Sequence, residues 1–220
     1  KFGTVISDSS LGYTYAINAR ENKLTPWNND AVEDNRGERL YIKVGNRLYD
    51  ICAGGETKFY RGYSVYTSKT QELEISATVF VPVNENVKVV KLKVKNKTSN
   101  PAKTKVCYYI EPVLGVNREN SEKFLKFDYE EDTIFINNPH NSDYQKGVTF
   151  LKTTDSADFH GFDKLSFFEG KWKDGQLISS DVCSYIGVKR QIEPMEEIEV
   201  TFLLGYGRSR RDAKEAAVRL

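Results

Sequence analysis

The sequence predicts an all-β protein: an antiparallel β-sandwich with a single helix starting near its C-terminal end. Three observations predict it. Apolar and polar residues alternate with a period of two in several segments, Gly, Asn and Asp interrupt these segments at short intervals, and helical spacing appears only after residue 208. The 220 residues include 13 Tyr and 12 Phe and are 39% hydrophobic, which is enough to bury a substantial core and excludes global disorder.

The clearest strand covers residues 90–95. Val90, Leu92 and Val94 alternate with lysines, so one face of this strand is predicted to be buried and the other to contact water. The same alternation is present in residues 73–79 and 198–204, although Leu203 interrupts it. These segments are typical of half-buried antiparallel strands.

Short turns join the predicted strands. Gly45 and Asn46 separate two strand-like segments and suit a two-residue hairpin turn. Further hairpins are predicted around residues 96–101 and 130–132, and another turn at 173–175. Two longer irregular stretches, residues 22–39 and 139–147, are rich in Asn, Asp, Gly and Pro, a length and composition typical of functional or disordered loops.

A helix is predicted only at the end of the chain. Ser209 and Asp212 have the spacing of a capping box. Apolar residues then recur at helical intervals: Ala213, Ala216, Ala217 and Leu220. Because no Gly or Pro stops this pattern, we expect the helix to continue past Leu220 and the chain to be the front portion of a longer protein. The expected organisation is a β-domain over residues 1–208 and the start of a helical linker over 209–220.

The net charge limits the classes of partner that we expect, and the cysteine content indicates the cellular compartment. Lys+Arg 32 against Asp+Glu 31 gives a net charge of +1, which predicts no nucleic-acid partner and no pull toward anionic membranes. No apolar run approaches the ~20 residues of a membrane-spanning helix. Cys52, Cys107 and Cys183 are odd in number and far apart, so we expect buried, unpaired thiols in a reducing, cytoplasmic compartment.

No sequence motif nominates a catalytic residue, a metal ligand or a cofactor. His140 and His160 have no neighbouring Ser or Cys in a hydrolase motif and do not form a His-x-x-x-His pair. The glycines at 54–55 and 205–207 lack the Lys-Ser/Thr pair of a phosphate-binding loop.

The segment richest in ligand-binding residue types covers residues 12–30. It includes Arg20, Glu21, Trp27, Asn28 and Asp30, which are of the types that stack on sugar rings and form paired hydrogen bonds with hydroxyl groups. A structural interpretation stays open beside the binding one. In it, Arg20 and Glu21 form an internal ion pair that fixes the loop, and Trp27 fills the edge of the sandwich.

The same segment resembles the start of the N-terminal domain of glycoside hydrolase family 94, formerly glycosyltransferase family 36. Its residues are Gly-Tyr-Thr-Tyr-Ala-Ile-Asn-Ala-Arg-Glu-Asn-Lys-Leu-Thr-Pro-Trp-Asn-Asn-Asp. The family holds cellobiose, cellodextrin and chitobiose phosphorylases and the phosphorylase-like region of cyclic β-1,2-glucan synthases. The resemblance continues in order through most of the chain, in residues 63–64, 78–82, 89–96, 109–115 and 202–208.

The resemblance implies a β-supersandwich of the galactose mutarotase type, followed by a helical linker and an (α/α)6 barrel with the catalytic Asp. It implies a homodimeric parent enzyme that cleaves a β-linked oligosaccharide with inversion, with inorganic phosphate as co-substrate instead of water. Nothing in this chain matches the acid or the phosphate site, so the chain alone is expected to be inactive, with no catalytic residue.

The resemblance also implies that a loop of this domain approaches the partner subunit's active site. Asn117 and Arg118 follow Gly115 where such a loop would project, and Arg118 offers a planar donor fork to sugar hydroxyls or a carboxylate. A solvated polar loop is the alternative. An alternative function for the whole chain is a free-standing carbohydrate-binding module, which predicts an exposed aromatic platform at Trp27 or Trp172. A protein-interaction sandwich is disfavoured by the charged strand faces.

Overall fold

A computed structural model describes residues 1–27, 30, 37–172 and 181–219. The strands are β1 (Phe2–Val5), β2 (Tyr13–Ala16), β3 (Glu38–Val44), β4 (Arg47–Asp50), β5 (Glu56–Tyr60), β6 (Tyr63–Lys69), β7 (Leu73–Phe80), β8 (Val87–Asn96), β9 (Ala102–Ile110), β10 (Lys126–Glu130), β11 (Thr133–Asn137), β12 (Val148–Thr153), β13 (Phe159–Asp163), β14 (Val182–Ile192) and β15 (Glu197–Gly207). The helices are α1 (Arg118–Ser121), α2 (Lys164–Phe168) and α3 (Arg210–Arg219), and a 3₁₀ turn (Glu122–Phe124) follows α1.

The strands form two large antiparallel sheets and one small hairpin. The eight-stranded sheet has the order β10-β11-β12-β15-β8-β7-β6-β5, and the five-stranded sheet has the order β13-β14-β9-β3-β4. Strands β1 and β2 pair with each other. One main apolar core contains side chains from both large sheets, as a sandwich requires. The predicted all-β sandwich is therefore confirmed.

The period-two pattern identified the buried faces correctly. Val90, Leu92 and Val94 on β8 are completely buried, whereas Lys91 and Lys93 between them are exposed. All three cysteines are buried and unbonded, as expected: Cys52, Cys107 and Cys183. Among the described helices, none combines the length and apolarity needed to cross a membrane.

Helix α3 explains why Leu203 breaks the alternation of β15. Leu203 points to the outer face of the large sheet, where it is 1% exposed and belongs to a second core shared with Ala213, Ala216 and Ala217. The predicted cap is present, because the Oγ of Ser209 accepts the backbone N–H of Asp212 at 3.1 Å. Leu220, the last residue of the predicted stripe, lies outside the described residues.

Two of the predicted hairpins are confirmed and one is wrong. Strands β3 and β4 pair across Gly45 and Asn46, and β10 and β11 pair across Glu131 and Asp132, whose φ angles of 49° and 55° are those of a type I′ turn. Residues 97–101, in contrast, connect β8 in the eight-stranded sheet to β9 in the five-stranded sheet.

This crossing has a simple cause. Strand β8 already pairs with β7 on one edge and β15 on the other, so β9 buries its apolar face by stacking on the sheet instead of extending it. The buried amide of Asn96 holds the crossing by donating to the carbonyls of Asn100 and Ile192 at 2.7 and 3.0 Å. The turn predicted at 173–175 lies outside the described residues.

The prediction of a helix only at the C-terminal end is wrong, because α1 and α2 are also present. They contain four and five residues, too few to produce a recognisable helical period. Helix α2 starts at Asp163, whose carboxylate accepts the N–H of Leu165 at 3.1 Å. Phe167 of α2 and Trp172 then cover part of the outer face of the five-stranded sheet.

Candidate functional site

Three loops meet at one end of the sandwich, which we call the loop end. It comprises residues 17–27, 112–125 and 138–147. The backbone N–H of Lys23 donates to the carbonyl of Gly115 at 3.1 Å and joins the first loop to the second. The amides of Asn138 and Asn141 donate to the carbonyl of Leu114 at 3.0 and 3.2 Å and join the third loop to the second. The loop end is therefore one connected surface.

Two asparagines shape the first loop. The Oδ1 of Asn18 accepts the backbone N–H groups of Arg20 and Glu21 at 2.9 and 3.0 Å, an Asx turn that closes the bend. Asn22 is buried, and its amide donates to the carbonyl of Ala16 at 2.9 Å. These side chains take the place of the backbone ladder where β2 ends.

Ile17 lies at the start of this loop in a rare backbone conformation. Its φ angle is 69°, in the left-handed region that β-branched residues seldom adopt, and its N–H donates to the carbonyl of Lys1. Such strained positions concentrate at functional sites, so an outlier of this kind motivates a functional hypothesis.

A cleft of about 440 Å³ opens beside Ile17, between the first and third loops. Its lining includes Asp143, Tyr144, Lys146 and Arg208. Tyr206 also lines the cleft and is 3% exposed; burial raises the pKa of its hydroxyl, which hydrogen-bonds the Asn22 side chain. Charged and hydroxyl groups around a concavity of this size suit a small polar ligand.

Sequence reasoning did not single out these cleft side chains. Composition marked residues 139–147 as an irregular loop, and the family resemblance included residues 202–208, but neither period nor spacing shows which loop side chains converge. The available signal was the Asn, Asp, Gly and Pro content of the third loop.

Arg20 and Glu21 form a contact on the surface of the loop end. Their Nε and Oε1 atoms lie 3.4 Å apart, and their side chains are 83% and 44% exposed. The pair exists, but the interpretation as an internal ion pair is wrong, since an exposed pair contributes little to stability. Asp30 is exposed as well, and Asn28 lies outside the described residues.

The two tryptophans have opposite environments. Trp27 is 42% exposed and stacks on Tyr13, with ring centroids 4.9 Å apart and planes 2° from parallel. Trp172 is 4% exposed, and its indole N–H donates to the carbonyl of Phe167 at 2.8 Å. The prediction that Trp172 offers an exposed platform is wrong, whereas Trp27 has the required exposure.

Asn117 and Arg118 sit where the second loop enters α1. Asn117 is exposed, makes no side-chain cap, and its carbonyl accepts the hydroxyl of Ser121 at 2.8 Å. Arg118 turns away to Asp181, donating to its Oδ1 at 2.5 Å and to the carbonyl of Val182 at 2.6 Å.

Further carboxylates surround Arg118. Glu122 and Glu111 lie 3.3 and 3.6 Å from its guanidinium nitrogens, and Lys164 contacts Glu111 at 2.8 Å. Burial opposes the charge of Arg118, but the carboxylates outweigh burial and raise its pKa. The donor fork of Arg118 thus binds carboxylates of its own chain and ties α1 to the start of β14.

The architecture and this loop end can now be compared with known proteins. The family model described as glycosyl hydrolase 94, supersandwich domain, matches residues 1–220. The chain belongs to this family.

Two curated relatives are similar to this glycosyl hydrolase 94 supersandwich domain over most of its length. The cyclic beta-(1,2)-glucan synthase NdvB of Rhizobium meliloti (strain 1021) is 27% identical over 93% of the chain. The N,N'-diacetylchitobiose phosphorylase of Vibrio furnissii is 21% identical over 94% of it. The chain spans only 8% and 30% of the lengths of these two proteins.

Solved structures confirm the type of fold. A galactose mutarotase related enzyme from Lactobacillus acidophilus has a TM-score of 0.61 at 11% identity, over 95% of this chain and 96% of its own. A bacterial glucoamylase complexed with acarbose has a TM-score of 0.64 at 12% identity, over 99% of this chain and 33% of its own. The predicted galactose mutarotase-like supersandwich is therefore confirmed.

Proposed function

We propose that this supersandwich domain is a non-catalytic, carbohydrate-associated part of an enzyme that transfers a hexosyl unit between a β-linked glycan and phosphate. The family match over residues 1–220 carries the proposal, together with relatives named as a glucan synthase and a chitobiose phosphorylase. In this proposal inorganic phosphate is the co-substrate of the parent enzyme, an oligosaccharide is its substrate, and the enzyme is a cytoplasmic homodimer.

Among the residues that the structure describes, the carboxyl group whose pKa is raised, Asp50, does not have the setting of a catalytic acid. An inverting reaction requires a carboxylic acid whose pKa is raised so that it can protonate the glycosidic oxygen. Burial raises the pKa of Asp50, but that carboxylate accepts a hydrogen bond from Arg39 at 2.7 Å and another from the N–H of Cys52 at 3.0 Å. Asp50 also ends β4 at the edge of the five-stranded sheet, in no loop of the loop end.

Helix α3 is the element that follows the last strand of the sandwich, and in this proposal it begins the linker to an (α/α)6 barrel. It packs on the outer face of the eight-stranded sheet through three alanines, while Val218 is 74% exposed. We therefore propose residues 1–208 as the sandwich and 209–220 as the start of a helical linker.

The proposal is tested by incubating the purified 220-residue chain with phosphate and β-linked disaccharides, including N,N'-diacetylchitobiose, cellobiose and sophorose. We expect no sugar 1-phosphate, while the chitobiose phosphorylase of Vibrio furnissii serves as the positive control on its own substrate. Turnover by the chain that co-purifies with it and scales with its concentration would refute the non-catalytic role.

The exposed Trp27 favours a second candidate function, a free-standing carbohydrate-binding module. Trp27 stacks on Tyr13, and its exposed indole is an aromatic surface of the type on which sugar rings stack. Calorimetric titration with β-1,2-glucan, cellodextrin and chitin oligomers tests it. Binding that is lost in Trp27→Ala and kept in Phe59→Ala, which removes another exposed aromatic ring, supports the module; no binding by any oligomer eliminates it.

A further inference from the structure

The outer face of the five-stranded sheet carries an unusual row of lysines. Lys105 on β9 lies directly opposite Lys43 on β3 on one side and Lys189 on β14 on the other. Directly opposed residues of antiparallel strands point to the same face, and like charges in such pairs repel. Lys103, two residues before Lys105, extends the same face.

The lysines on the outer face of the eight-stranded sheet have different neighbours. On its outer face Lys93 pairs in register with Glu199, and Lys95 pairs with both Glu197 and Glu74. The ammonium of Lys93 lies 3.8 Å from carboxylates of Glu197 and Glu199. Lys93 and Lys95 of this sheet therefore face carboxylates on neighbouring strands, whereas Lys105 of the five-stranded sheet faces lysines on both sides.

Within the part of the chain that the structure describes, the carboxylate at the lysine row is that of Asp158, which accepts the backbone N–H of Lys189 at 2.7 Å and forms no ion pair with a lysine of the row. None of the four lysines of the row takes part in an ion pair there, and Lys43 reaches only the carbonyl of Gly170, at 3.5 Å, and the face of Trp172. Arg190 is nearby, but its guanidinium is bound to Asp155 and Asp158. Partial burial lowers the pKa of Lys105, and the charges of Lys189 and Lys43 lower it further.

The row is concave. A depression of about 420 Å³ is lined by the four lysines of the row, together with Gly45, Arg190 and Gln191. That volume lies in the range of small-molecule sites, roughly 300–1,000 Å³. Ammonium groups on flexible stems act as point charges that bind phosphate oxygens well, and a dianion contacts several of them at once.

We infer that this lysine row is a binding site for a phosphate group, either inorganic phosphate or the phosphate of a sugar ester. Its anion contacts Lys105 at the centre and draws on Lys43 and Lys189 from either side. The site lies on the sheet face, away from the loop-end cleft, and binding there requires no turnover, so the inference does not depend on the proposed function.

The test is calorimetric titration of the 220-residue chain with inorganic phosphate and, separately, glucose 1-phosphate, at an ionic strength held constant with sodium chloride. We expect saturable binding of one anion per chain. Lys105→Glu should weaken it about tenfold or more, because it replaces a charged hydrogen-bond donor by a repelling carboxylate. Lys93→Glu changes net charge equally on the other sheet and should alter the affinity less than about twofold.

The two anions distinguish the source of the phosphate group. Tighter binding of glucose 1-phosphate identifies a sugar ester as the ligand, and equal affinities identify free phosphate. Absence of saturation with both anions, or equal loss in Lys105→Glu and Lys93→Glu, overturns the inference. Lys189→Gln removes one ammonium group without adding a carboxylate. Its anion affinity is a second, independent measurement, and we expect it to be weaker than that of the unchanged protein.

Discussion

A completely buried ion pair joins the two sheets, and its disruption is the sharpest stability test. Lys88 on β8 and Glu38 on β3 are both 0% exposed and contact each other through Nζ and Oε1. Lys88 also donates to Thr4 at 3.1 Å and to the carbonyl of Leu11. Burial lowers the pKa of Lys88, and the attraction of Glu38 opposes that shift.

Glu38 is equally well bonded. Its carboxylate accepts the hydroxyl groups of Tyr108, Thr14 and Thr25 at 2.5, 3.0 and 2.8 Å. Thr14 and Thr25 flank the loop that carries Arg20, and the Oγ1 of Thr25 also accepts the N–H of Thr14 at 2.8 Å. The buried network therefore holds both ends of the first loop of the loop end.

We expect Lys88→Met to lower the free energy of unfolding by about 3–5 kcal/mol, because it leaves the Glu38 carboxylate buried without its cation. The matched control is Lys93→Met, which breaks exposed contacts at 3.8 Å and should cost no more than about 1 kcal/mol. Adding Glu38→Gln to Lys88→Met removes the uncompensated charge while the amide keeps an acceptor for the threonines. The double variant should recover about 1–3 kcal/mol relative to the sum of the single changes.

Urea unfolding followed by tryptophan fluorescence measures the unchanged protein, the three single variants Lys88→Met, Lys93→Met and Glu38→Gln, and the double variant, with Trp27 reporting on the first loop. The slope of the free energy with urea should stay constant, so that midpoints convert directly into stability. The reasoning is refuted if Lys88→Met costs no more than Lys93→Met, or if the two single changes at the buried pair are additive.

Three further predictions concern reactivity, pH and packing. Burial raises the pKa of the Cys52 thiol to about 12. Burial also holds the pKa values of the Cys107 and Cys183 thiols well above their usual range, so a thiol reagent should label none of the three at pH 8 before unfolding and all three after it. Hydrogen bonds from Lys214 and Arg210 hold the pKa of Glu130 below its usual 4.5, so this contact between α3 and the β10–β11 hairpin stabilises the protein above pH 4.5 and is lost as the pH falls through the lower folded value. Glu130→Gln should therefore flatten the decline of the melting temperature below pH 4.5, and an unchanged decline would contradict the assignment. A Cβ on Gly205 would lie 2.2 Å from the ring of Phe150, so Gly205→Ala should cost about 1–3 kcal/mol in urea unfolding, against a much smaller effect for Gly115→Ala, where the nearest atom is 3.4 Å away.

The sequence predicted the loop end only through the types of residues that it contains. The segment around Arg20 and Trp27 was recognised from its residue types, and both side chains are indeed exposed. The destination of Arg118 was not predictable, because Asp181 lies 63 residues further along the chain. The convergence of Asp143 and Arg208 on the cleft was not predictable either, because these residues are also far apart in the sequence.

The sequence by itself determined which face of each strand is buried, since alternation with period two depends only on neighbouring residues, as in Val90, Leu92 and Val94 on β8. It also determined the short turn at Gly45 and, through the order of its motifs, the family. Tertiary structure alone decided that residues 97–101 cross between sheets, that α3 covers Leu203, and that Lys105 lies between two other lysines. Each of these depends on which distant strand becomes a neighbour, and that choice is made by the burial of whole faces and the pairing of free strand edges, which no local pattern records.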